Sequence, residues 1–372
     1  MRKANIREKI IDSAIELFSK KWYETVSVAE ICRNANLSNG VFYNYFKNKQ
    51  QLFEYLLNYL LEVLKNEFYK YSGNTKKEKL KSFFNIVFGA AKKYKTLVTI
   101  FREGQYRFPQ YEKELRNLYI DILKRILDRE ITEVDYIYII GGLRFLGIMS
   151  SYGWINMNVE DFFDIVFNGV FFEKTNDNKL FDFDIKECEE EEKTTKQLLI
   201  NAGIDLFSQK GYYKVKIFEI TNYVSLAVGT FYIYFPSKEE FLKEIVRQIG
   251  HKTRLFISKN LPLDLNRLEK ELIGIYLFLE FFKRNKNYYE IIREAEFVVN
   301  NEVREYYAEF KKGYIKHLRN IKNKNKEVTA MYLMGISHYT GIEYLFENTI
   351  KDKKKFLFEL SKYLTKGINI KA

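Results

Sequence analysis

Only three prolines are spread over 372 residues, and cysteine is scarcer still, at two. So little proline leaves few points where a helix must end, because each proline removes an amide donor and fixes φ. Cys32 and Cys188 stand alone, with no CxxC pair and no spacing for a disulfide framework or a zinc site, which fits a reducing compartment. His251, His317 and His338 lie far apart, without metal-ligand spacing. There is no Walker loop, no Gly-x-Ser-x-Gly, no HExxH and no nucleotide-binding glycine fingerprint, so no catalytic residue, metal or cofactor is expected, and an enzyme is not the expected class. Sustained period-two alternation is missing, and strands are not expected. The opening MRKANIREK has no apolar signal-peptide core behind it. The most apolar run, Tyr136 to Met149, is too short for a membrane span and carries Arg144, so it reads as a buried helix. A cytoplasmic chain with no membrane insertion is expected.

What is present is aromatic and basic. Phe, Trp and Tyr make up 17%, and 61 Lys and Arg against 49 Asp and Glu leave a net charge of +12. A basic total invites a polyanionic partner, but it acquires meaning only beside a motif. The length suits two or more domains, and the abundance of Leu, Ile, Lys, Glu and Tyr favours long helices on short connectors, an all-α fold.

The helical pattern begins at Ile6 to Lys21, where Ile10, Ile11, Ala14, Leu17 and Phe18 share one face. Ser27-Val28-Ala29-Glu30 has capping-box spacing for a second helix through Ile31 to Arg33. Asn34 to Leu37 supplies a tight turn, Ser38 stands where it can cap a third helix, and Asn48 to Gln51 offers a cap for a long helix from Lys49 to about Tyr71. A shift of 189 repeats this pattern without a gap, and 16 of the 39 positions from Ile15 to Phe53 are identical. SNGVFYNYFKNK, Ser38 to Lys49, thus returns as AVGTFYIYFPSK, Ala227 to Lys238. An internal duplication explains this most economically. Fainter echoes follow: Phe101-Arg102-Glu103 in Ile292-Arg293-Glu294, and Gly141 and Gly147 in Gly335 and Gly341.

A first helix ending in Leu-Phe, a capped second helix, then Gly-x-Phe-Tyr-x-Tyr-Phe and a nearby Lys resemble the DNA-binding domain of TetR-family bacterial transcriptional regulators. The resemblance covers roughly fifty residues per copy. It implies two tandem units, each a three-helix helix-turn-helix domain followed by a helical ligand and dimerisation domain. The expected domains are residues 1–48 and 49–180, an acidic linker at 181–193, then 194–237 and 238–372. In copy one Ser38, Asn39, Val41 and Asn44 flank Gly40 and would face base edges, while Ser27, Tyr43 and Lys49 are implied to hold phosphates. Phe42, Tyr45 and Phe46 are assigned to the core.

Copy two departs from that pattern. Lys216 replaces the capping Ser27, Ala227 replaces Ser38, Val228 replaces Asn39 and Ile233 replaces Asn44, so hydrogen-bonding groups leave the reading face. Glu190-Glu191-Glu192 aligns with Met1-Arg2-Lys3, placing acid where a basic arm would help. Lys214, Lys216, Gly229, Thr230, Tyr232 and Lys238 still permit contact with DNA, more through shape and phosphates than bases.

The expected partners are double-stranded DNA and a small hydrophobic effector. Candidate effector residues are Arg102, Glu103, Tyr106, Arg144 and Trp154 in half one, with Arg293, Glu294, Phe297 and His338 in half two. The chain is expected to act as a pseudo-dimeric repressor on an asymmetric operator, with no further oligomer required. Its carboxy-terminal portions would pack through Val134 to Tyr152 and Val159 to Phe172 against Val328 to Leu345 and Lys355 to Leu364. The alternative is a ligand-binding or scaffold protein of the same fold with degenerate DNA binding.

Overall fold

A computed structural model describes residues 2–175, 180–187, 194–323 and 325–368, with side chains from residue 5 onward. The acidic run beyond Glu187, Cys188 included, lies outside the described residues, as do the side chains of the Met1-Arg2-Lys3 arm. Among the described residues the chain is helical, with one isolated bridge, Phe171 to Ile321, and no strand. Among the described residues no helix is long and apolar enough to cross a membrane.

The first half runs through α1 (Arg2–Lys20), α2 (Val28–Asn34), α3 (Asn39–Phe42), α4 (Lys49–Phe68), α5 (Lys76–Lys93), α6 (Lys95–Arg107) and α7 (Pro109–Leu127). Then α8 (Glu133–Asp135) passes through a π-helical turn, Tyr136–Gly141, into α9 (Gly142–Ser151), followed by α10 (Val159–Asn168). The second half repeats the order with α11 (Thr195–Lys210), α12 (Ile217–Tyr223), α13 (Val228–Tyr234), α14 (Lys238–Asn260), α15 (Arg267–Arg284), α16 (Lys286–Val298), α17 (Asn300–His317), α18 (Lys326–Leu345) and α19 (Lys353–Lys366).

The caps explain several boundaries. Ser27 Oγ accepts the Glu30 amide at 3.1 Å, and Asn48 Oδ1 accepts the Gln51 amide at 2.8 Å. Asn36 and its counterpart Ser225 both take the left-handed backbone between the second and third helices, at φ 56°. Ser38 corrects the expectation: it occupies the cap position with extended backbone, yet its hydroxyl makes no cap bond.

Two compact units result, Met1–Ile131 with Gly147–Val159, and Thr132–Leu146 with Glu160–Asn369. The duplication boundary is therefore not the packing boundary. In the first unit α4 buries Leu52, Leu56, Leu57 and Leu60 against α5, α6 and α7, and α6 also lies against α1. In the second unit α14, α15 and α16 repeat that bundle.

The second unit also joins the last helices of the two halves, and the contacts are reciprocal. Tyr339 covers Gly141, with its Cβ 3.2 Å from where a Gly141 Cβ would stand, and Phe145, the residue equivalent to Tyr339, covers Gly335 in the same way at 2.6 Å. Val170 donates its amide to Leu364 O at 2.6 Å, and its equivalent Ile368 donates to Val166 O at 2.9 Å. Gly169 and Gly367 make the turns possible, with φ of +75° and +69°. Tyr138 meets its own equivalent, Tyr332, edge to face at 5.8 Å, so the pair lies on the local symmetry axis. Contact of i with j matched by j with i is what a two-fold arrangement generates. Polar bonds flank this core: Tyr363 donates to Asp135 at 2.8 Å, and Asn323 to Asp164 at 2.9 Å.

Candidate nucleic-acid interface

Each head is built on an aromatic anchor. In α3 the helical phase sends Phe42 inward, completely buried, and turns its neighbour Tyr43 outward, 59% exposed. Phe46 follows Phe42 into the core, whereas Tyr45 is only half-buried. Ser38, Asn39, Gly40 and Asn44 are exposed and Val41 is half-buried, so these groups share an accessible edge with Tyr43. Nothing lies within 4 Å of where a Gly40 Cβ would stand, so close approach at this position is open to an outside molecule. Ser27 is exposed at the start of α2, its hydroxyl oxygen engaged as the helix cap.

Copy two repeats the anchor but presents a different surface. Phe231 and Phe235 are buried, Tyr232 is 53% exposed, and Ile233 stands out at 76%. Val228 and Gly229 are exposed and Thr230 is half-buried. Lys214 and Lys216 are both exposed, adding cationic charge beside α12. At Lys216 half of the cap survives: Glu219 accepts the Lys216 amide at 2.8 Å. An ammonium cannot accept the return bond from the helix amide. Replacing Lys216 with serine is expected to stabilise head two by about 0.5–2 kcal/mol, readable by thermal unfolding, while weakening any phosphate contact.

Lys49 and Lys238, expected at phosphates, have partners inside the fold. Lys49 Nζ donates to Tyr23 O at 2.7 Å and Val26 O at 2.8 Å, and lies over the Tyr23 ring. Lys238 does the same with Tyr212 O and Val215 O, both at 2.9 Å, over the Tyr212 ring. Burial lowers the pKa of both lysines from the ordinary value.

The effector candidates separate into distinct surroundings. Arg102 is buried, donates to the Tyr152 hydroxyl at 3.0 Å, and shares that ring's neighbourhood with Trp154. Tyr106 is half-buried on the same helix. Arg144 sits over Tyr339 at the reciprocal packing core and donates to Tyr136 Oη at 3.3 Å. Arg293 lies over the Phe346 ring, Phe297 is half-buried on α16, and His338 Nδ1 is 3.0 Å from the Tyr289 hydroxyl. Glu103 and Glu294 instead accept the backbone amides of Tyr23 and Tyr212, so their carboxylates are turned to the heads. The sequence echo at Arg102-Glu103 and Arg293-Glu294 was the available signal for that role. Arg7 carried no such signal: it stacks on the Tyr55 ring at 4.4 Å and fastens α1 to α4.

A capped helix, a left-handed turn and a short exposed helix anchored by two buried phenylalanines define a helix-turn-helix head, and this chain carries two. The family model "Bacterial regulatory proteins, tetR family" matches residues 10–56 and 199–245. Each half of the chain thus carries the DNA-binding segment of that family, in two tandem copies. It is 39% identical over 61 residues to the HTH-type regulator YuxN of Bacillus subtilis, covering 16% of this chain and 21% of the relative, so it spans about a fifth of that relative's length. It is 26% identical over 150 residues to the HTH-type transcriptional repressor KstR2 of Mycolicibacterium smegmatis, covering 36% and 73%. A solved TetR-family protein from Syntrophomonas wolfei aligns over 47% of this chain and 96% of its own, at 20% identity and a TM-score of 0.42.

Proposed function

We propose that the chain is a DNA-binding transcriptional repressor whose two heads address an asymmetric operator from one polypeptide, released by a small hydrophobic effector. The observation that carries the DNA-binding part is the accessible edge of α3, where Ser38, Asn39, Asn44 and Tyr43 surround an open Gly40. Hydroxyl and amide groups there suit base edges, and Tyr43 suits a phosphate. The reciprocal contacts between α8–α10 and α18–α19 favour a pseudo-dimer, because they supply within one chain the arrangement that a symmetric dimer obtains from two. The effector reading draws on the buried Arg102 and the half-buried Tyr152 and Trp154 beside it. Repression is the mode named for the Mycolicibacterium relative.

A second reading, a ligand-binding or scaffold protein with degenerate DNA contact, is favoured by the apolar face of head two, where Ile233 and Val228 are exposed. Salt titration on DNA fragments selected from the genome separates the two. The regulator loses affinity with a log–log slope of roughly −0.9 per phosphate contacted, and a flat response favours the alternative. Tyr43→Ala is expected to weaken binding roughly tenfold or more, the worth of one hydrogen bond to a charged group, and more than Tyr232→Ala does. Equal losses would remove the ranking of the heads. Light scattering is expected to give a monomer of 44.7 kDa. A dimeric mass in dilute solution would count against the pseudo-dimer.

A further inference from the structure

We infer that Glu103 and Glu294 are positioning residues, each holding its reading head in place against the helix behind it through a carboxylate on the backbone amide of the turn that precedes the second helix. This rests on the proposed DNA-binding function, and it concerns residues on helices outside both matched segments.

The clamp is the same in both copies. Between the first and second helices of each head lies a short 3-10 turn, Tyr23–Thr25 and Tyr212–Lys214. The first amides of such a turn have no partner within it and need an acceptor. Tyr23 N–H donates to Glu103 Oε1 at 2.9 Å, and Tyr212 N–H to Glu294 Oε1 and Oε2 at 3.0 and 2.9 Å. The carbonyls of the same two residues are held by Lys49 and Lys238. One residue of the turn is thus gripped at its amide from α6 and at its carbonyl from α4, and in copy two from α16 and α14. Because α6 also packs on α1 and α4, as α16 does on α11 and α14, the turn is the point where the head meets the bundle. Only two residues separate the turn from α2 or α12, so the turn fixes where the helix-turn-helix begins.

The two clamps differ in charge. Glu103 is shared with Arg107, at 3.3 Å, and Arg107 reaches on to Glu24 of the turn at 2.8 Å. Val298 stands at the position equivalent to Arg107, and Glu294 there gives both oxygens to the Tyr212 amide. What persists through the divergence of the copies is the carboxylate on the turn amide. Glu103 is buried, and a buried carboxylate is costly unless its bonds are satisfied, which makes it an expensive way to obtain mere packing.

The test uses the full chain with Glu103→Ala, Glu103→Gln and Glu103→Asp, the Glu294 counterparts, and selected operator DNA as the probe. Hydrogen exchange of the Tyr23 and Tyr212 amides is measured beside DNA affinity and its salt slope. In the alanine variants the corresponding turn amide should exchange roughly tenfold faster or more, as local opening becomes easier. DNA affinity should fall by about tenfold, one lost hydrogen bond to a charged group, with the salt slope unchanged. Glutamine keeps the acceptor oxygen and should stay within about threefold of wild type in both measurements. Aspartate, one methylene shorter, should behave like alanine, and it decides the matter if the alanine variant does not fold. DNA affinity unchanged while the turn amide opens would overturn the inference, as would glutamine as damaging as alanine. If the wild type binds no DNA, the regulatory reading fails on its own, and the exchange arm still decides the clamp: an unaltered Tyr23 amide in the alanine variant overturns it.

Discussion

Tyr332→Ala is expected to lower the stability of the unit formed by Thr132–Leu146 and Glu160–Asn369 by about 3–5 kcal/mol, the range for removing a large buried aromatic side chain. Tyr332 is fully buried, packs edge to face against Tyr138 and Phe162, and covers Gly142 so closely that any side chain at 142 would overlap its ring. Its hydroxyl donates to Tyr138 O at 2.7 Å, inside the π-helical turn where the ordinary helical ladder is interrupted. Burial holds its pKa well above the ordinary tyrosine value, so it remains a neutral donor. Tyr332→Phe should cost less, about 1–3 kcal/mol, because it keeps the ring but takes the donor from the buried Tyr138 carbonyl. Gly142→Val should cost about 1–3 kcal/mol through overpacking. Urea unfolding reads all three, and an alanine variant as stable as the phenylalanine variant would show that the packing carries little energy.

Lys49→Met, expected to destabilise head one by about 2–4 kcal/mol, has the next largest effect. It leaves Val26 O without its donor, at about 1–3 kcal/mol for an unsatisfied group, and leaves Tyr23 O with only the 3.3 Å bond from the Val26 amide. The contact of the ammonium with the Tyr23 ring is lost as well. Lys238→Met should act alike on head two, through Tyr212 and Val215. Lys49→Arg should not restore stability, because a planar guanidinium cannot replace a compact ammonium between two carbonyls and a ring. Thermal unfolding measures the loss, and the salt dependence of DNA binding identifies its origin. An internal lysine leaves the slope unchanged, whereas a phosphate contact would reduce it by about 0.9.

The heads were legible because their information is local. Ser27 and Asn48 cap helices within three residues of themselves, and Asn36 marks a left-handed turn that a small polar residue tolerates. Helical phase alone separates inward Phe42 from outward Tyr43. Even so, Ser38 looked like a cap and is not one, since its hydroxyl makes no bond to the helix it precedes. Glycine spacing marked Gly141 and Gly335 as places of close approach, and the bundle supplied Tyr339 and Phe145 to fill them.

The amino-acid order settles helix against strand, where the helices start, that the pattern occurs twice, and which aromatic residues face inward, because each depends on neighbours a few residues away. Tertiary structure alone decided where the long charged side chains go. Lys49 stands at the start of a helix, where sequence reading would offer it to a phosphate, yet two carbonyls 23 and 26 residues upstream take its ammonium. Glu103 stands on a helix assigned to an effector domain, yet an amide 80 residues away takes its carboxylate. Backbone groups left without partners by a short turn must be satisfied by whatever the fold brings near, and that is a property of the packed chain rather than of any local stretch.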